Sequence, residues 1–158
     1  MTEGYINGGI YAMTAIIIYV FAVFRNLRTV LFILLPVFVG SIWMLGIMDA
    51  LNLKLNMANL VILPLILGIG VVNGIHITHR YREEEDKTKV VLGKSTGQAV
   101  VLSSLTTIIG FGSMMMADHY GVFSLGLVLS LGVLCCLIAS ITFLPALLKL
   151  SAAKNWKV

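Results

Sequence analysis

The chain holds 158 residues, 59% apolar and 11% charged, with a mean hydropathy of +1.00. Soluble domains carry about 45–50% apolar and about 25% charged residues, so water is not the main solvent here, and 158 residues are too few to wrap so apolar an interior in a soluble shell. A net charge of +4 and a pI near 9.2 fit basic loops beside anionic lipid head groups and require no nucleic acid.

A hydrocarbon core about 30 Å thick takes about 20 apolar residues per helix. Uncharged runs of that order occur five times, at 6–24, 29–48, 57–78, 99–117 and 122–148. The pattern predicts an all-α membrane protein, a bundle of about five transmembrane helices over residues 1–150 with a tail at 151–158. Ahead of the first run, Met1-Thr2-Glu3-Gly4 offers no positive n-region, and no small-residue cleavage pattern follows the span, so it does not read as a signal peptide.

Taken in order, the first run ends at Arg25 and Arg28, and the second and third contain Pro36 and Pro64, which favour kinks. The third carries Gly70 and Gly74 four apart, a face that lets another backbone approach closely. Asn73 and His76, three apart, share an adjoining face. Polar groups at membrane depth usually point into a bundle or a wet pathway. The stretch 81–87, dense in both signs of charge, reads as a solvated or interfacial helix. The fourth run repeats Ser103, Thr107 and Gly110 at helical spacing with Thr106 alongside, a small hydroxyl-bearing stripe able to pack on the third run or to bond back to its own carbonyls. In the fifth, Cys135 and Cys136 are adjacent, a poor arrangement for a disulfide on a helix, and read as packing residues.

All eleven Lys and Arg lie outside the runs, and alternating the runs across the bilayer puts ten on one side and Lys54 alone on the other. The positive-inside rule then sets the N-terminus outside and the C-terminus in the cytoplasm. An acidic, outside N-terminus at the first helix suggests the interior of a longer protein. All seven acids also lie outside the runs, so His76 is the one side chain in a span with an ordinary pKa near neutral; it sits near a head-group level, where a hydrogen-bonding role competes with a proton relay. His76 and His79 lack the further ligands of a metal site, and no cofactor is indicated. Intramembrane proteolysis needs paired Asp, a Ser with a deep His, or His-Glu-x-x-His. None is present, so no enzyme is expected.

Residues 68–83 (GIGVVNGIHITHRYRE), 104–113 (SLTTIIGFGS), Leu125-Gly126-Leu127 and Leu144-Pro145-Ala146-Leu147-Leu148 resemble the last five helices of RND-superfamily exporters, nearest the MMPL type with its hopanoid-transporter-like members. The resemblance covers nearly the whole chain. It implies one part of a twelve-helix, two-repeat transporter of the bacterial inner (cytoplasmic) membrane, driven by protons and exporting hydrophobic or lipid-like substrates. The partners implied are the lipid bilayer, the N-terminal repeat and the extracytoplasmic domains, with a homo-oligomer as the alternative assembly. Carried over by position, Val72 and Asn73 fall at the proton-relay site of the tenth helix and Thr106 and Thr107 at that of the eleventh. The chain departs from the pattern at Val72, where relatives carry Asp. That departure also admits a non-transporting scaffold or decayed fragment, related to sterol-sensing-like helices. Gly70 and Gly74 are the candidates for the flank that meets the partner repeat, and Ser103 and Gly110 for further helix packing.

Overall fold

In a computed structural model, which describes residues 2–53, 62–83 and 94–153, the apolar runs fold as five helices: α1 (Thr2–Phe24), α2 (Leu27–Ala50), α3 (Ile62–Glu83), α4 (Lys94–Gly112) and α5 (Tyr120–Ala153), with a 3-10 turn at Ser113–Met116. All five are long and apolar enough to cross a membrane. The protein is an all-α, multi-pass membrane protein. Residues 1, 54–61, 84–93 and 154–158 lie outside the described residues, and with them the start of the expected third run, most of the expected interfacial helix and most of the tail.

The helices outlast the uncharged runs. Asp49 lies in the last turn of α2, Arg80, Arg82 and Glu83 end α3, and Lys149 lies within α5. Charge ends a hydrophobic run without ending a helix, because at head-group level the side chain reaches water while the backbone keeps its intrahelical bonds. The acids expected in connections therefore include residues on helix ends.

The α1–α2 reversal takes two residues. Arg25 has φ 49°, the left-handed setting that closes a helix, and its N–H donates to Phe21 O at 2.7 Å. Asn26 then caps α2, its Oδ1 accepting from the Arg28 N–H at 3.1 Å. The end of α3 is tied to this turn by Arg82, whose guanidinium donates to Phe24 O at 3.5 Å and to Thr29 Oγ1 at 3.3 Å. The same group lies 4.7 Å from the centre of the Phe24 ring, so a cation meets both an aromatic face and the negative end of α1. Tyr81, also near that end, donates to Leu148 O at 3.4 Å. These contacts gather the end of α1, the start of α2 and the ends of α3 and α5 at one end of the bundle.

The long α5 is central, packed against α2, α3 and α4, while α1 lies at the edge on α3 and α2. Lipid tails are as apolar as leucine, so membrane helices associate through close packing and polar bonds, and this bundle follows that rule. A Cβ at Gly40 would meet Cys136 Cα at 2.7 Å, and one at Gly126 would meet Phe111 O at 2.6 Å. Ser130 donates to Ile108 O at 3.3 Å across α4 and α5. Cys135 and Cys136 are buried and free. Pro36 lies inside α2 and is buried, and Pro64 falls in the first described turn of α3.

Candidate functional site

Two polar side chains define the middle of α3. Asn73 is buried, and its Nδ2 donates to Ser104 Oγ on α4 at 3.1 Å. An amide held between two helices at this depth avoids leaving a polar group unpaired in an apolar surround. His76, one turn on, is exposed and faces a partly open cleft of about 670 Å³ between α3 and α4. Asn73, Ile75, His76, His79, Arg80 and Glu83 line the α3 side of this cleft, and Thr96, Ala99, Val100 and Ser103 line the α4 side. At its far end His79 Nδ1 lies 3.4 Å from Glu83 Oε1, and Arg80 lies 3.7 Å from the other Glu83 oxygen.

The residues singled out in the sequence are distributed differently from their stripes. Val72 is 47% exposed on the outside of α3, while its neighbour Asn73 points inward. Thr106 and Thr107 both donate to Ser103 O, at 2.8 Å and 2.9 Å. They are thus engaged with their own helix, and neither lines the cleft. Two expectations need correction. The Gly70–Gly74 face is not left for a partner: a Cβ at Gly74 would meet Ile33 on α2 at 2.9 Å, and one at Gly70 would meet Val37 at 3.1 Å. Glycine accepted α2 of the same chain because a stripe without Cβ atoms does not specify which neighbour fills it. Likewise the stripe of Ser103 and Gly110 does not pack on α3. Ser104, about 100° around the helix from Ser103, makes that contact, and nothing lies within 4 Å of a Cβ at Gly110. Ser104 was legible only as one more hydroxyl in a hydroxyl-rich run.

Among the described residues, no three His, Cys, Asp or Glu side chains are placed to hold a metal ion. What the cleft does offer is a run of hydrogen-bonding and titratable groups from mid-helix to one end of the bundle. Asn73 and Glu83 are ten residues apart, about 15 Å along a helix.

Known proteins carry the same pattern. The family described as MMPL matches residues 4–158. The chain belongs to the MMPL family. It is similar to the hopanoid transporter HpnN of Rhodopseudomonas palustris, 34% identical over 94% of this chain and 17% of that protein, and to HpnN of Burkholderia multivorans, 31% identical over 97% of this chain and 17% of that protein. A protein of Methanocaldococcus jannaschii described as a membrane protein is 37% identical over 86% of this chain and 37% of its own length. The chain thus spans well under half the length of these MMPL relatives. No solved structure matches it.

Proposed function

We propose that this chain is the C-terminal part of the membrane domain of a proton-motive-force-driven exporter of hydrophobic or lipid-like substrates, acting with an N-terminal repeat and extracytoplasmic domains. The observation that carries the reading is the family match over residues 4–158, together with two relatives named as hopanoid transporters that align along nearly the whole chain. In this reading residues 1–150 belong to the membrane domain, and the tail expected at 151–158 starts later, because α5 runs on to Ala153 with Ser151 buried. Five helices alone lack the second repeat that alternating access requires. Transport, with no catalytic chemistry, is the activity proposed, in keeping with those relatives' names.

The proposed topology places the N-terminus outside and the C-terminus in the cytoplasm of a bacterial inner membrane. Its support is the gathering of basic residues: the α1–α2 turn carries Arg25 and Arg28, and Arg82 draws the end of α3 onto it. The positive-inside rule makes that end cytoplasmic.

Proton coupling requires a group that changes charge near working pH, and neither Val72 nor Asn73 titrates. In this reading Asn73, held by Ser104, and His76, facing the cleft, are the relay groups of this chain, and a carboxylate is supplied by the partner repeat. Thr106 and Thr107, bonded to Ser103 O of their own helix and away from the cleft, stand outside this relay. The second reading, a non-transporting scaffold or decayed fragment, is favoured by Val72. Export separates the two. A strain lacking this chain, given a radiolabelled hopanoid as probe, should retain it in the inner membrane. Restoring the chain should restore its appearance outside, with loss on adding a protonophore. Equal export with and without the chain would favour the scaffold.

A further inference from the structure

We propose that an ordered water molecule is bound where α2, α3 and α5 meet, held by Thr78 Oγ1, Ser140 Oγ and the backbone carbonyl of Phe32. The site takes a small neutral hydrogen-bonding guest. It lies apart from the cleft between α3 and α4 and does not depend on the transport reading.

The first observation is a pair of hydroxyls that depart from the habit of the chain. Thr14, Ser41, Thr106, Thr107 and Thr142 each donate to a carbonyl three or four residues earlier on the same helix, the usual arrangement for Ser and Thr within a helix. Thr29, Ser104 and Ser130, all buried, reach across helices instead: Thr29 accepts from Arg82, Ser104 accepts from Asn73, and Ser130 donates to Ile108 O. Thr78 and Ser140 do neither. Both are 0% exposed, and among the described residues theirs are the buried side-chain oxygens that no group of the chain meets. An unpaired hydroxyl is costly in so apolar a surround. Buried polar groups in native proteins nearly always have a partner, from the protein or from ordered water.

The second observation is register, which brings these two hydroxyls to a third polar group. α3 and α5 run side by side: a Cβ at Gly132 would meet Ile66, one at Gly70 would meet Cys136 Sγ, and Tyr81 reaches Leu148 O. One turn beyond Gly70 and Cys136, Ser140 is therefore level with Gly74, and Thr78 follows on the next turn of α3. α2 runs the other way along α5, with Gly40 against Cys136 and Met44 against Gly132, so Pro36 comes opposite Ser140. Pro36 is buried inside α2 and has no N–H, so the Phe32 carbonyl lacks the donor that an α-helix supplies from four residues on. The Phe32 side chain packs with Ile77 and Leu144, which sets this stretch of α2 against the same parts of α3 and α5. A buried water makes about three hydrogen bonds: here it donates to Phe32 O and to one hydroxyl and accepts from the other. A hard divalent cation takes about six or more oxygen ligands, more than the junction supplies. Proline is tolerated within membrane helices where hydroxyls or ordered water satisfy the freed carbonyl, so the bound water ties the break in α2 to both neighbouring helices.

Four versions of the protein, expressed from its own locus and purified, test the site: native, Thr78→Val, Ser140→Ala and the two changes together. In mixed dodecyl maltoside and SDS micelles each single change should lower the folded-to-unfolded ratio about two- to tenfold, the size of one net hydrogen bond. The double variant should lose clearly less than the product of the two single losses, because both hydroxyls hold the same molecule. In a cryo-electron-microscopy map fine enough to show ordered waters, density should lie within hydrogen-bonding distance of all three oxygens and vanish in the double variant. Single changes that leave the ratio unchanged or raise it would overturn the proposal, since removing a hydroxyl bonded to nothing relieves the fold. Single losses that multiply in the double variant would overturn the shared molecule. A junction without density would overturn the site whatever the substitutions do to stability.

Discussion

Replacing Gly40 by alanine tests the packing of α2 on α5 where the added atom meets backbone. The added Cβ would lie 2.7 Å from Cys136 Cα, 2.9 Å from its N and 2.9 Å from its Sγ, where carbon atoms prefer about 3.5–4.0 Å. Two of these three atoms are backbone, so no side chain can swing aside, and α2 and α5 must separate by roughly an ångström. Overpacking of this kind costs about 1–3 kcal/mol. Alanine also favours a helix over glycine by about 0.8–1.0 kcal/mol, which partly hides the clash. Gly46→Ala on the same helix removes that ambiguity, because a Cβ there has nothing within 4 Å. The difference between the two alanine variants therefore isolates the steric term, and it should be about 1–3 kcal/mol with Gly40→Ala the less stable. Unfolding in mixed dodecyl maltoside and SDS micelles, followed by tryptophan fluorescence, suits the test because Trp43 on α2 meets Phe143 on α5 edge-on at 5.8 Å. Equal midpoints for the two variants would refute the α2–α5 packing described.

Three further outcomes are expected. Arg82→Gln removes the guanidinium from Phe24 O, Thr29 Oγ1 and the Phe24 ring; at this half-exposed site the loss should be about 1 kcal/mol, with faster proteolysis at the α1–α2 turn, and an unchanged cleavage rate would count against the tie. A double-mutant cycle of Asn73→Leu and Ser104→Ala should show a favourable coupling of about 0.6 kcal/mol, the usual size of such a bond between membrane helices, and zero coupling would remove it. Val72→Asp should reduce insertion by about 2.5–3.5 kcal/mol if that side chain faces lipid, whereas accumulation at the wild-type level, read by quantitative immunoblot, would show a polar or protein surround.

The helices were legible because hydrocarbon thickness sets a length that the uncharged runs meet one by one. The end of α3 was legible only as the start of a solvated or interfacial helix over 81–87, while in the fold Tyr81 is buried against α5 and Arg82 closes on α1. The partner of a glycine stripe was not legible. Gly70 and Gly74 announce that something comes close, but Ile33 and Val37 reach them from the preceding helix, more than thirty residues earlier, and the Gly40–Cys136 contact has no local signature. Asn73 and His76 could be named as candidates because polar groups are rare in spans. Choosing Ser104 over Ser103 required the rotation of α4 about its own axis, which packing on α5 decides. The family pattern was readable from its motifs, and Val72 stood out against it.

The central claim, that this chain carries part of a proton-coupled exporter, is tested most directly by proton movement in inner-membrane vesicles. A pH gradient is imposed, a hopanoid is added as the transported probe, and dissipation is followed with a pH-sensitive dye in vesicles with and without this chain. The account predicts probe-dependent dissipation that disappears when the chain is absent and slows when His76 is replaced by Gln. Dissipation that is the same with and without the chain would contradict it.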